Sequence, residues 1–248
     1  MDAQEIVNDI VLACRALAAR GCDTGIGGHV SMRAAGEDAF WINAFDRTLG
    51  EITSADVMKL DFDGKLLEGS REVSLGFEFH AGVYQHRDDV NAIVHSHGRW
   101  ITALASMARP LKMRHNLCCI FHDDQVLSPD DRFESIGPAI ESNHTVIIPW
   151  HGAITVGDTL ARAAALHATL EDQAQLDVML EPTEAPEIPE DLRLGLKKLV
   201  DEQAGYLEQT WTLMRRQGRR HLDAHPNDTD PFHVEAIADE DRPFQVLA

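Results

Sequence analysis

Apolar and polar positions along this 248-residue chain change period several times, and each change marks an element. In residues 2–20, Ile6, Ile10, Val11, Cys14, Leu17 and Ala18 recur at helical spacing, and Gly21 ends the run. The glycine-rich stretch Gly25-Ile-Gly-Gly28 turns into a short strand that runs to Arg33, and residues 40–43 read as the next strand. Ser54-Ala-Asp56 starts like a capped helical turn. Residues 57–62 alternate like a strand, Asp63-Gly64 makes a hairpin turn, and residues 65–68 are its partner. Residues 74–88 carry a helical pattern with Leu75, Phe79, Val83 and His86 on one side. A strand over 91–97, a helix over 101–107, and a strand over 145–150 that stops at His151-Gly152 follow. Residues 159–180 form a long helix rich in Ala and Leu, 182–189 a Pro/Glu linker, and 190–222 another helix. There is no internal repeat. The pattern predicts one α/β domain over 1–222 and an acidic, proline-bearing segment over 223–248 that is a tail or an arm packing on a neighbour.

Composition narrows the function. At 44% hydrophobic residues the chain can bury a sizeable core. Its net charge of −19 argues against nucleic acid or an anionic membrane as partner, since both need a basic surface. An anionic substrate would need a local positive group, a metal or arginines. No apolar run reaches membrane-spanning length. The acidic start MDAQEIVNDI is unlike a signal peptide. Cys14, Cys22, Cys118 and Cys119 lack C-x-x-C spacing and read as reduced thiols, which fits a cytoplasmic protein.

The candidate chemistry begins in Asn91-Ala-Ile-Val-His-Ser-His97. Strand alternation points His95 and His97 to one face and Ser96 to the other. Such a pair can grip a metal or be two ordinary histidines, and thirteen histidines make chance pairs easy. His151, at a strand end before glycine, is a candidate third ligand. Three histidines would leave a coordination position open, as catalytic metals require. Imidazole suits zinc, manganese, iron or cobalt. Other readings fail on particulars. A cupin-like H-x-H lacks its glutamate in residues 98–102. The glycines at 25–28 lack the strand and third glycine of a dinucleotide fingerprint, and there is no Walker lysine or G-x-S-x-G elbow.

Taken in order, Gly27-Gly-His-Val-Ser-Met-Arg33, Ile42-Asn-Ala-Phe45, Ile52-Thr-Ser-Ala-Asp56, Phe79-His80, Val90-Asn-Ala-Ile-Val-His-Ser-His97 and Trp150-His-Gly152 resemble the class II aldolase/adducin family over roughly residues 5–180. The resemblance implies a three-layer α/β/α fold with a mainly antiparallel central sheet and a ring-shaped homotetramer. It also implies one divalent metal on His95, His97 and His151, zinc or manganese first and iron or cobalt next. The family's sugar-phosphate aldolases carry a glutamate base four residues before the helix histidine. Four before His80 stands Gly76, and Glu78 is rotated from that position by about 200°. Those aldolases hold phosphate with an Asn after glycine, a Thr-Gly pair and a Ser-Ser pair. Here His29, Phe45-Asp46 and Ser74-Leu75 stand instead.

These departures resemble the adducin-like bacterial branch, which includes decarboxylases. The expectation is a metal-dependent decarboxylase of a hydroxylated aromatic, pyridine or ring-opened dienoic acid. Two alternatives stay open: an aldolase acting on a non-phosphorylated hydroxy-carbonyl substrate, and a non-catalytic oligomerisation module. His80 is the first candidate proton donor and His29 the second, with Glu78 and Tyr84 on the helix of His80. Arg99, Arg114, Arg47 and Ser74 are candidates for holding a small anionic acid. Trp211, Arg215, Arg216 and His221 in the last helix are candidates for reaching a neighbour's site.

Overall fold

The computed structural model describes residues 2–34, 36–73 and 76–225. Helix α1 (Ala3–Ala19) starts at Asp2, whose carboxylate accepts the Glu5 N–H while the Glu5 side chain takes the Asp2 N–H, a reciprocal cap. Strands β1 (His29–Arg33), β2 (Ala39–Asn43), β3 (Val57–Asp61) and β4 (Leu66–Glu68) form an antiparallel ribbon. Gly64, at φ 82°, makes the β3–β4 turn. Helix α2 (Phe77–His86), strand β5 (Ala92–Ser96), helix α3 (Arg99–Ser106), strand β6 (Gln125–Leu127), helix α4 (Phe133–Ala139) and strands β7 (Thr145–Ile148) and β8 (Gly152–Gly157) follow. Helices α5 (Leu160–Leu180), α6 (Glu190–Lys197) and α7 (Tyr206–Ala224) complete the described chain.

The strands make one eight-stranded sheet in the order β4-β3-β2-β1-β5-β8-β7-β6. Every neighbouring pair is antiparallel except β6 with β7. Alternation sorts the strand residues onto two faces. Val30, Met32, Val94 and Ala153 join a core with α1, α3, α5 and α7, while Ile93, Ile154 and Val156 join a second core with α2 and α4. This is the expected three-layer α/β/α arrangement with a mainly antiparallel sheet.

Several local expectations change. The helix expected over 190–222 is broken: α6 passes into a π-helical turn (Lys198–Gln203), and Gly205, left-handed at φ 57°, starts α7. His86, the last residue of α2, is exposed although Phe79 and Val83 are buried. The long Ala- and Leu-rich helix, α5, is an inner helix of the domain, buried at most positions from Leu160 to Asp177, so it offers no large free face to a second copy. All four cysteines are free and buried, and burial pushes their thiols up, Cys118 to about 11. No helix among the described residues is long and apolar enough to cross a membrane. Ser74, Leu75 and the segment 226–248 lie outside the described residues.

Candidate metal centre

Three turns at one end of the sheet converge on the histidines. His95 lies in β5, opposite His29 of β1 on one side and Ile154 of β8 on the other. His97 follows the last strand residue, Ser96. His151 comes from the β7–β8 turn, where Trp150 holds a left-handed φ of 59°. The next position must be glycine: a Cβ on Gly152 would lie 2.5 Å from the Ser96 carbonyl oxygen. The ring centroids are 4.8 Å apart for His95 and His97, 5.2 Å for His95 and His151, and 4.9 Å for His97 and His151.

The hydrogen bonds around these rings suit metal binding. His95 Nδ1–H donates to the Ala153 carbonyl at 3.0 Å, which leaves the Nε2 lone pair facing His97 Nε2 at 3.0 Å. The His97 ring donates to the Ile26 carbonyl. One ring nitrogen from each histidine lies within 4.8 Å of the others, and among the described residues no carboxylate joins the cluster. Two imidazole nitrogens on a tetrahedral ion at ~2.0–2.1 Å would be roughly 3.3 Å apart, close to the spacing of the His95–His97 pair. Burial, followed by the charges of neighbouring histidines, holds His95 well below the usual imidazole range and lowers His97; burial lowers His151. Neutral imidazole is the ligand form. The triad could therefore hold one divalent cation.

His29 lies against this triad. Only 2% exposed, its ring centroid is 5.9 Å from His95, 5.8 Å from Phe45, 6.0 Å from Phe79 and 5.6 Å from His80. Burial first, then the charges of His97 and His151, lower its pKa to about 3. The ring fills the space above Gly76, where a Cβ would be 2.3 Å from His29 Cε1. Asn43 anchors the glycine turn leading into β1: its amide donates to the Gly28 carbonyl at 2.9 Å and accepts the Val30 N–H at 2.6 Å.

The other candidates scatter. His80 is fully buried behind His29, with Nδ1 2.7 Å from Ser31 Oγ and a buried, unpartnered Nε2. Tyr84 does not reach the triad: its hydroxyl is 2.8 Å from Ser31 Oγ, in the core beneath. Glu78 does not join the triad; burial first, and the charge of Glu134 on α4 after it, raise its pKa. Arg114 is turned away, with Nη1 3.0 Å from Asp177 of α5 and 3.1 Å from Glu181, the residue that follows the helix. Arg99 is exposed in the first turn of α3, two residues beyond His97. Arg47 is half-buried in the loop that follows Phe45. Ile26, Phe45 and Trp150, at 53%, 38% and 71% exposure, place apolar surface on the same turns. Sequence reasoning missed Phe45 as a partner of His29, and missed His167 and Glu171, which stand on α5 behind the site. Each meets the site through contacts between distant segments, which no local pattern in the sequence marks.

Known proteins place the chain. The model of the class II aldolase and adducin N-terminal domain matches residues 8–178. Decarboxylase NovR of Streptomyces niveus is 28% identical over 179 residues, 68% of this chain and 65% of that protein. An L-fuculose phosphate aldolase of Methanococcus maripaludis is 26% identical over 180 residues, 70% of this chain and 97% of that one. The solved L-fuculose 1-phosphate aldolase of Glaciozyma antarctica superposes with a TM-score of 0.80 at 26% identity, covering 90% of this chain and 91% of its own. On a match across most of its length, this chain belongs to the class II aldolase and adducin N-terminal domain family.

Proposed function

We propose that this protein is a divalent-metal-dependent carbon–carbon lyase that decarboxylates a hydroxylated aromatic, pyridine or ring-opened dienoic acid. The observation that carries the reading is the packing of His29 against Gly76, beside an all-imidazole triad. A second histidine layer fills the volume where the resemblance to sugar-phosphate aldolases calls for a carboxylate base. The likeness to Decarboxylase NovR supports the same choice.

A cation on His95, His97 and His151, zinc or manganese before iron or cobalt, would act as a Lewis acid on a chelating hydroxyl and neighbouring oxygen of the substrate. The bond to the carboxyl carbon breaks, its electron pair stays on the substrate carbon, and carbon dioxide leaves. That carbon then needs one proton. His29 is the better placed donor, since it lies between the triad and His80. Its lowered pKa makes it neutral at rest, so it would have to take up a proton from solvent as the substrate carboxylate arrives beside it and raises its pKa; loss of that charge as carbon dioxide would then release the proton to the substrate carbon. His80 backs it from the Ser31–Tyr84 side. Arg99 is the guanidinium nearest in sequence to the triad and would take the carboxylate. Ile26, Phe45 and Trp150 suit a planar ring. Burying them supports a homo-oligomer, a tetramer on the family pattern, with α7 and the segment after it near a neighbour's site. The acidic, thiol-bearing chain fits the cytoplasm.

The test is carbon dioxide release and ultraviolet loss across hydroxylated phthalate-like, pyridine-carboxylic and ring-cleavage acids, with ketose 1-phosphates run beside them. Turnover of an acid that falls in His29→Ala, and falls less in His80→Ala, supports the scheme. Turnover of the phosphates alone overturns it in favour of an aldolase.

A further inference from the structure

Behind the metal centre, on the opposite face of the sheet, lies a buried polar cluster that the proposed reaction does not use. Ser96, between the two ligands of β5, points toward α5. Its hydroxyl is 2.7 Å from His167 Nε2 and accepts the Gly98 N–H at 3.2 Å. On the far side of the imidazole, His167 Nδ1 is 3.1 Å from Thr155 Oγ1, which donates its own proton to the Ala163 carbonyl at 2.9 Å.

The donors order themselves. Because Thr155 gives its proton to Ala163, it accepts from His167 Nδ1–H. His167 Nε2 then accepts from the Ser96 hydroxyl, which leaves the Ser96 oxygen to take the Gly98 N–H. Ser96, Thr155 and His167 are each 0% exposed. One turn further along α5, Glu171 accepts the Trp100 N–H at 3.0 Å and the Ile101 N–H at 2.9 Å. Gly98 is pressed on the same carboxylate, and a Cβ there would be 2.5 Å from Glu171 Oε2.

Such a cluster is costly to bury, and its strand neighbours Val94 and Ala153 on this face show that apolar residues fit there. Its contacts are confined to one segment. His95 is held by the sheet ladder, but His97 lies beyond it, so its direction depends on residues 96–101. α5 holds that segment through His167 at Ser96, whose oxygen takes the Gly98 N–H, and through Glu171 at Trp100 and Ile101, while Thr24 donates its hydroxyl to the His97 carbonyl. We propose that Ser96, His167 and Glu171 are positioning residues that set the direction of His97, and so the geometry and affinity of the three-histidine metal centre. The inference rests on the metal reading above and extends it to a set of residues on the other side of the sheet.

The test uses chelator-stripped full-length protein. Zinc affinity is measured by competition with a chromophoric chelator, cobalt(II) geometry by visible absorption, and stability by melting without metal. Ser96→Ala should weaken zinc binding about 10–100-fold, the loss typical when a group behind a ligand is removed. It should alter the cobalt bands and leave the metal-free melting temperature near that of the unaltered protein. His167→Gln, which keeps an acceptor for Ser96, should lose less affinity than Ser96→Ala. Should Ser96→Ala fail to fold, Glu171→Gln is read the same way. If the unaltered chain takes up neither ion, the metal reading itself falls. If it binds both and the variants match it in affinity and spectrum, only the positioning role is overturned. An affinity loss mirrored by an equal loss of metal-free stability also overturns it, since the cluster would then serve the fold alone.

Discussion

Replacing Gly76 with alanine tests whether His29 and Gly76 share one volume. The backbone of Gly76, at φ −80° and ψ 0°, is comfortable for alanine, so no strain arises there. The added Cβ would lie 2.3 Å from His29 Cε1, 2.8 Å from His29 Nδ1 and 3.3 Å from Phe79 Cε1. Restoring ordinary contact requires the imidazole edge to retreat by about 1 Å. The ring has little room to do so, because it is packed among Phe45, Phe79, His80 and His95. Forcing one extra carbon into such a site costs about 1–3 kcal/mol. Against this, losing glycine's unfolded-state freedom gains about 0.4–1 kcal/mol. Gly76→Ala should therefore destabilise by up to about 2 kcal/mol in the native background, yet be neutral or stabilising when His29 is also alanine. Urea unfolding of the four proteins of the cycle, all metal-free, gives the coupling without ligand linkage. A coupling below about 0.5 kcal/mol would refute the shared-volume reasoning, and with it the claim that His29 occupies the space next to the triad.

Metal removal should abolish turnover, and a divalent ion should restore it. His95→Ala should not regain activity although its circular dichroism stays native; full activity in excess EDTA would contradict both. Stability should also depend on pH. His167 is lowered to about 3, by burial first and by His97 second. Its unfolded value is about 6.5, so below that pH the unfolded chain binds the extra proton and stability is lost as pH falls toward the folded value. The loss at pH 5 should be about 2 kcal/mol from this residue. Urea midpoints at pH 7.5 and 5 should differ less in His167→Gln than in the unaltered protein, and equal differences would argue against it. Light scattering at micromolar concentration should give a homo-oligomer that Trp150→Ser weakens, and a monomer would remove the oligomeric reading.

The candidate ligands were legible one by one from short-range rules, but their grouping into one triad came from the family resemblance, and the structure brings the three rings together. Two-residue alternation aligned His95 with His97, and the glycine after His151 marked a turn. The pairing of His29 with Gly76 was not legible, because it joins segments 47 positions apart through the β1–β5 register and the seating of α2 on that face. Strand β8 escaped for another reason. Gly152-Ala-Ile-Thr-Val-Gly157 is buried on both faces, so it shows no alternation. The three-residue edge strand β6 carries too few positions for any period. Arg114 looked like a substrate ligand because its partners Asp177 and Glu181 lie more than sixty residues away in sequence. In each case the missing information was a contact between elements, which propensity does not encode.

Electrostatics ties the metal to the choice of substrate. The chain carries a net charge of −19, so at long range it repels the small acids proposed for it. The triad does not offset this on its own, because burial keeps its histidines below their usual range and therefore uncharged near neutral pH. A divalent ion bound there would add two positive charges beside the buried rings of His29 and His80, where each charge counts for more than at the surface. Arg99, exposed at the start of α3 and proposed for the substrate carboxylate, would add one more. The same ion that would stabilise the developing carbanion would also be the main attraction for the acid. Affinity and catalysis would then be lost together when His97 is misaligned, and the hydrogen bonds from α5 to residues 96–101 are where that alignment is held.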